Sequence, residues 1–212
     1  SRFGWLHREL GLAAAAETAV AAQHGEAVSF EFVREANPDW LIVLDRAAAI
    51  GSVVPQMTAV AAESCERHLG AQPLVVDATT PLPIRLDVDE PLSVGADRIL
   101  NTLAAMHLYR RDTIVVDLGT ATTFDCITGR GVFIGGVISP GVRTGAETLV
   151  RRTARLPRVD LTPPPSVIGR RTDTSMRSGI LYSAVDAIDG VVRRIRQEWQ
   201  RPDAYVVATG GL

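Results

Sequence analysis

The segment Thr113–Asp125, TIVVDLGTATTFD, decides how this chain is read. Its first six residues are apolar and mostly β-branched, so they predict a strand over Thr113–Leu118. Gly119 supplies a turn, and a second strand is expected over Ala121–Thr128. An acid at the end of a buried strand is costly unless it meets a cation or hydrogen-bond donors, so Asp117 is a candidate to face a cation. Gly119 lets the backbone turn tightly and approach a phosphate. Thr120, Thr122 and Thr123 supply hydroxyls beside it. The plainer alternative is an ordinary hairpin whose Asp caps its own turn.

Working outward, residues 128–131 form a hairpin turn, and Val132–Ser139 reads as a third strand ended by Pro140-Gly141. Helical spacing follows over Thr144–Arg155, then a Pro-rich connector over Leu156–Ser166. Thr174–Gln200 reads as one long helix with an apolar stripe from Met176 to Ile195, and Ala204–Ala208 as a closing strand. The first half repeats this βββαβ order less clearly. Phe3–Leu10 and Val28–Val33 are strand candidates. Asp39–Arg46 reads as a short helix capped by Asn37-Pro38, although Trp40–Leu44 also suits a strand. Ala48–Val54 and Pro73–Val76 are strands, and Met57–Leu69 and Val94–Tyr109 are helices. Two mixed α/β halves, 1–93 and 94–212, imply a ligand cleft between them.

The bulk properties narrow the function. The chain has 212 residues, 46% hydrophobic and 22% charged, enough for a real core. A net charge of −2 and a pI near 6.1 give no bulk electrostatic footprint for nucleic acid or membrane. Arginines bunch at 151–152, 170–171 and 193–194, which fits solvated faces. The two cysteines, Cys65 and Cys126, lack metal-ligand spacing and fit a reducing, cytoplasmic compartment. The four histidines form no cluster that suggests a metal site. No apolar run reaches the roughly 18 residues of a membrane span. The start lacks Met and a signal-peptide pattern, and both ends are expected to be truncated.

Four further motifs surround the central segment. Val94-Gly95-Ala96-Asp97-Arg98 opens a helix, where the macrodipole favours an ionised Asp97 that could accept a proton. Arg98 suits a carboxylate in forked geometry. Standing alone, a first-turn Asp usually only stabilises its helix. Gly135-Gly136-Val137-Ile138-Ser139-Pro140-Gly141 suits close backbone approach or plain turn chemistry. Thr172-Asp173-Thr174-Ser175-Met176 opens the long helix with hydroxyls that serve as caps or bind a polar substrate. Gly210-Gly211 after a strand suits approach to a nucleotide, but a lone pair of glycines is a weak signal.

Taken in order, Gly-Ala-Asp-Arg, Asp-Leu-Gly-Thr-Ala-Thr-Thr-Phe-Asp, Gly-Gly-Val-Ile-Ser-Pro-Gly, Thr-x-x-Ser-Met-x-x-Gly and Ala-Thr-Gly-Gly closely resemble the type III pantothenate kinases. The resemblance is strong from about Gly51 onward and looser before it. It implies two ribonuclease H-like halves, as in the superfamily of sugar kinases, Hsp70 and actin. It also implies phosphorylation of pantothenate by ATP, with Mg²⁺ travelling on the nucleotide, as the first step of coenzyme A synthesis. By that resemblance Asp97 would be the general base, with Gly95, Ala96, Arg98 and Thr172 contacting pantothenate. Asp117 would hold a monovalent cation, K⁺ or NH₄⁺. Thr120, Ser1, Gly210 and Gly211 would contact ATP. A homodimer is implied, with no nucleic-acid or membrane partner.

Two departures from the family pattern stand out. Ser1 corresponds to the tail of a first phosphate loop whose Asp, Gly and Asn would precede it, so a molecule beginning at Ser1 is expected to be inactive. The Tyr that usually precedes Gly-Ala-Asp-Arg is missing, and Leu86 lies near its place. A non-catalytic transcriptional regulator on the same fold is the alternative; retention of Asp97 and Asp117 favours the enzyme.

Overall fold

The computed structural model describes residues 40–44, 47–52, 55–69 and 72–210. They divide into two compact units, one drawn from residues 1–80 and 93–97, the other from 81–92 and 98–212. The strand candidates Phe3–Leu10 and Val28–Val33 lie outside the described residues.

In the first unit, strand β1 (Trp40–Leu44) pairs antiparallel with β2 (Ala47–Gly51), and β2 pairs parallel with β3 (Leu74–Val76). The strand alternative for Trp40–Leu44 therefore replaces the short helix expected over Asp39–Arg46. Five apolar residues in a row satisfy both periods, and the neighbouring strand β2 decides between them. Helix α1 (Pro55–Leu69) links β2 to β3 and packs on β2. Ile50 and Cys65 are buried together there, with Ala61 and Ala62 against them.

The second unit holds a five-stranded sheet. Its members are β4 (Arg85–Leu86), β5 (Thr113–Leu118), β6 (Ala121–Ile127), β7 (Val132–Pro140) and β8 (Tyr205–Gly210). Their spatial order is β4-β7-β6-β5-β8. The meander β5-β6-β7 is antiparallel, while β8 joins β5 in parallel and β4 joins β7 in parallel. Two helices, α3 (Val142–Arg152) and α4 (Thr172–Trp199), lie between β7 and β8 in sequence, so the order is βββααβ. Helix α2 (Ala96–Leu108) precedes the meander; it begins two residues later than expected, leaving Val94 and Gly95 outside it.

The strands alternate cleanly between two faces. On one, Ile114, Val116 and Phe124 are buried with Val192 and Ala204, and Leu118, Ile188, Val191, Ile195 and Trp199 pack around them. This is where the long helix α4 lays its apolar stripe. On the other face, Thr113, Val115 and Asp117 of β5 stand opposite Ile127, Asp125 and Thr123 of β6. Side chains of α2 reach that face, as the site geometry shows.

The irregular connector between α3 and α4 is fastened by the first turns of α4. Arg177 donates from Nε to the Thr162 carbonyl at 2.9 Å and from its terminal nitrogen to that of Pro163 at 2.9 Å. Ser175 donates to Gly169 at 3.2 Å, and Ser178 donates to Val167. The hydroxyls expected to serve as caps or ligand contacts thus divide their work. Thr174 closes the helix start by accepting from the Arg171 N–H at 3.2 Å, and Ser175 ties down the connector, joined there by Ser178 from outside that motif.

Candidate active site

The hairpin between β5 and β6 turns through Gly119, Thr120 and Ala121, with Leu118 paired to Thr122 on either side. Gly119 has no left-handed backbone conformation, and a Cβ placed on it would meet only the Ala121 carbonyl oxygen, at 3.5 Å. The tight turn therefore does not itself demand glycine. An alanine fits the backbone there, so the bare position leaves space above the turn that the fold does not use. The turn is instead fixed from behind. The Thr120 carbonyl accepts from the Gly141 N–H at 2.9 Å and from the Thr144 hydroxyl at 2.7 Å. Gly141 is the N-cap of α3 and brings no side chain, so the positive end of that helix starts beside Thr120. Ser139-Pro140-Gly141 is therefore a seat for the turn rather than turn chemistry for its own sake.

Asp117 lies near the end of β5, between Thr123 of β6 and Thr209 of β8. Gly210 comes close beside it. Its φ is +86°, and a Cβ there would stand 2.4 Å from Asp117 Oδ1 and 2.7 Å from the Leu118 backbone. Only glycine meets both demands. Gly211 and Ser1 lie outside the described residues.

The same face carries a second acid that the sequence reading did not single out. Asp125 is completely buried. Arg98 Nε donates to its Oδ1 at 2.6 Å, and Asn101 Nδ2 donates to its Oδ2 at 3.2 Å. Asn101 Nδ2 also lies 3.4 Å from Asp117 Oδ2. Arg98 and Asn101 sit three residues apart on α2 and so share a helix face. The guanidinium rests over the Phe133 ring, 4.8 Å from its centroid, and over Gly136, where a Cβ would stand 2.6 Å from its terminal nitrogen. Gly136 is demanded first by the Phe124 backbone carbonyl, which a Cβ would strike, and it also leaves room for Arg98. The signals for Asp125 and Asn101 were present: Asp125 closes the quoted motif on the same strand face as Thr123, and Asn101 follows Arg98 at helical spacing.

Asp97 occupies the first turn of α2, in the first unit, while Arg98 belongs to the second. Gly95 and Ala96 precede Asp97, with Ala96 buried. Thr172 is the first residue of α4 and is exposed. Beside it, the Arg171 side chain donates to Asp173 at 3.1 Å and holds that carboxyl below its ordinary range. Leu86, near the place of the missing Tyr, lies in β4 and is partly buried.

A separate groove of about 640 Å³ lies at the other end of β5 and β6, lined by Arg85, Arg110, Arg111, Arg130 and Arg201 among others. It contains none of the motif residues. Several of its charges serve the sheet: Arg201 pairs with Asp112 at 2.8 Å, Asp112 accepts from the Gly129 N–H at 3.0 Å, and Arg85 pairs with Asp87 at 3.1 Å. The adjacent arginines at 151–152, 170–171 and 193–194 are all exposed, as solvated faces should be.

Among the described residues no group of three or more His, Cys, Asp or Glu side chains forms a metal cage, and no helix is long and apolar enough to cross a membrane. Asp117 offers a hard oxygen donor, unlike the sulfur and nitrogen donors that dominate structural zinc sites.

A solved structure from Campylobacter jejuni, described as a conserved Baf family transcriptional activator, is similar at 18% identity and a TM-score of 0.49. The match covers 77% of this chain and 67% of that one. The family model for type III pantothenate kinase matches residues 3–194. That span holds every motif of the series but the final Ala208-Thr209-Gly210-Gly211, and the chain belongs to the type III pantothenate kinase family.

Proposed function

We propose that this protein transfers the γ-phosphoryl group of ATP to the hydroxyl of pantothenate, giving 4′-phosphopantothenate, on two ribonuclease H-like halves. The observation that carries this reading is the Gly119-Thr120 turn. Its glycine is not demanded by the fold, its back is fastened to the start of α3, and a strand-end acid stands beside it. Backbone N–H groups and a helix N-terminus suit phosphate oxygens. The antiparallel meander with a helix-linked parallel strand supports the ribonuclease H-like reading of the second half.

In this reading Thr120 contacts the phosphates of ATP, with Gly210, Gly211 and Ser1. Asp117 holds K⁺ or NH₄⁺, which would offset negative charge near the phosphates, and Mg²⁺ arrives with the nucleotide. Asp97, at a helix N-terminus, accepts the proton of the pantothenate hydroxyl. The new O–P bond forms at the γ-phosphorus as the bond to the β,γ-bridging oxygen breaks, and ADP leaves. Gly95, Ala96, Arg98 and Thr172 hold pantothenate. Positioning and charge neutralisation supply most of the rate, as is general for phosphoryl transfer. The exposed apolar side chains Leu149, Tyr182 and Val185 on α3 and α4 support a homodimer.

The test is direct. Full-length protein with ATP, Mg²⁺, K⁺ and pantothenate should yield phosphopantothenate. Bound ATP without product would sink the kinase reading and favour a non-catalytic regulator. Asp97→Asn should lower turnover by about 10²- to 10⁴-fold with an unchanged melting curve; near-normal turnover would remove Asp97 from the role of base.

A further inference from the structure

The amide of Asn101 lies between two carboxylates that the proposed function assigns to different ligands. Asp117 is the cation-side acid, and Asp125 fixes Arg98, the pantothenate-side cation. One nitrogen, Asn101 Nδ2, approaches Asp125 Oδ2 at 3.2 Å and Asp117 Oδ2 at 3.4 Å. Asn101 and Asp125 are 6% and 0% exposed, so the contact between them is shielded from water, while the contact to Asp117 is partly buried. We infer that Asn101 is a positioning residue that couples cation binding at Asp117 to pantothenate binding through Asp125 and Arg98. This inference rests on the pantothenate kinase reading and goes beyond its set of ligand contacts.

The physical argument concerns where the amide proton density goes. An amide nitrogen has two N–H groups, and each carboxylate draws one. A cation at Asp117 withdraws negative charge from that carboxylate and weakens its claim on the amide. Asn101 then moves toward Asp125, whose other oxygen is committed to Arg98 at 2.6 Å. The guanidinium has little freedom of its own, confined between the Phe133 ring and the bare backbone of Gly136. A change of a few tenths of an ångström at Asn101 therefore reaches Arg98 through buried hydrogen bonds. Binding linkage is reciprocal, so pantothenate would strengthen cation binding by the same factor.

The experiment measures pantothenate affinity by calorimetry on the full-length protein, with a non-hydrolysable ATP analogue and Mg²⁺. Each titration is run in KCl and again with tetramethylammonium chloride at equal ionic strength. The wild type should bind pantothenate at least about 5-fold tighter in K⁺, within the usual range of such couplings. Asn101→Leu should bring that ratio below about twofold with little change in melting temperature, and Asn101→Ser decides the matter if the leucine variant does not fold. A side chain that only packs would weaken binding equally in both salts and leave the ratio intact. A wild-type ratio of one, or an unchanged ratio in folded variants, overturns the coupling and leaves the kinase reading standing. Wild-type protein that binds no pantothenate in either salt overturns both.

Discussion

The two faces of the five-stranded sheet are made by the same strands and the same alternation, yet they are built on opposite terms. Toward α4, the even-numbered residues Ile114, Val116 and Phe124 form a continuous apolar layer. Toward α2, the odd-numbered Asp117 and Asp125 face Arg98 and Asn101. Burying a large apolar side chain contributes about 1.5–3 kcal/mol. A buried ion pair often contributes nothing beyond what an apolar pair of equal volume would supply. The first face therefore accounts for the fold. The second is not explained by net stability, and it is the face on which the proposed function places its ligands.

That contrast can be broken in four places. The largest effect is expected from Phe124→Ala, which should cost about 3–5 kcal/mol in urea denaturation while leaving KM values of the folded fraction unchanged. A large KM change at intact stability would mean that the apolar face also shapes the site. Next, Arg98→Met combined with Asp125→Leu should leave the denaturation midpoint level or raise stability by about 1–4 kcal/mol. The same double variant should bind no pantothenate; retained binding would return this pair to a purely structural role. Third, Asp117→Asn should alter stability in K⁺-free buffer by less than about 1 kcal/mol, upward because two carboxylates share one amide donor. Its melting temperature should no longer rise with KCl, and a wild-type rise would move the cation elsewhere. The smallest stability effect belongs to Gly119→Ala, within about 0.5 kcal/mol of the parent. Its KM for ATP should nonetheless rise, and an unchanged KM would leave the open space over the turn without purpose.

Much of this was legible in the chain itself. The hydrophobic runs of β5 and β6, the turns between them and the stripe on α4 are local patterns, and the structure has them within a few residues of the expected limits. Strand β4 was not legible. Two residues, Arg85 and Leu86, carry no period, and they become a strand only because Val132 and Phe133 lie beside them. Trp40–Leu44 read as helix or strand for the same reason: its state depends on β2, not on its own composition. In the site, the motif glycines were visible but their reasons were not. Gly210 answers to Asp117 and the Leu118 backbone, Gly136 answers to the Phe124 carbonyl and Arg98, and Gly119 answers to nothing in the fold. Asp125 was visible as a letter and hidden as a partner, because its meaning depends on a helix residue 27 positions away. The proposed roles of Asp97 and Thr172 came from resemblance, since an Asp or Thr at a helix start has an adequate local reason to be there.

Each compact unit also happens to contain one of the two cysteines, both buried: Cys65 on α1 in the first and Cys126 on β6 in the second. Burial raises both thiols, and Cys126, beside Asp125, is pushed up to about 12. At neutral pH neither carries the thiolate that reacts with alkylating reagents. Each sulfur becomes a chemical clock for the opening of its own unit. Alkylation followed by peptide mass spectrometry would time the two openings in one unmutated molecule. Ligand-induced slowing at Cys126 alone would show that the nucleotide stabilises the second unit by itself, whereas slowing at both would show that it binds them into one cooperative body.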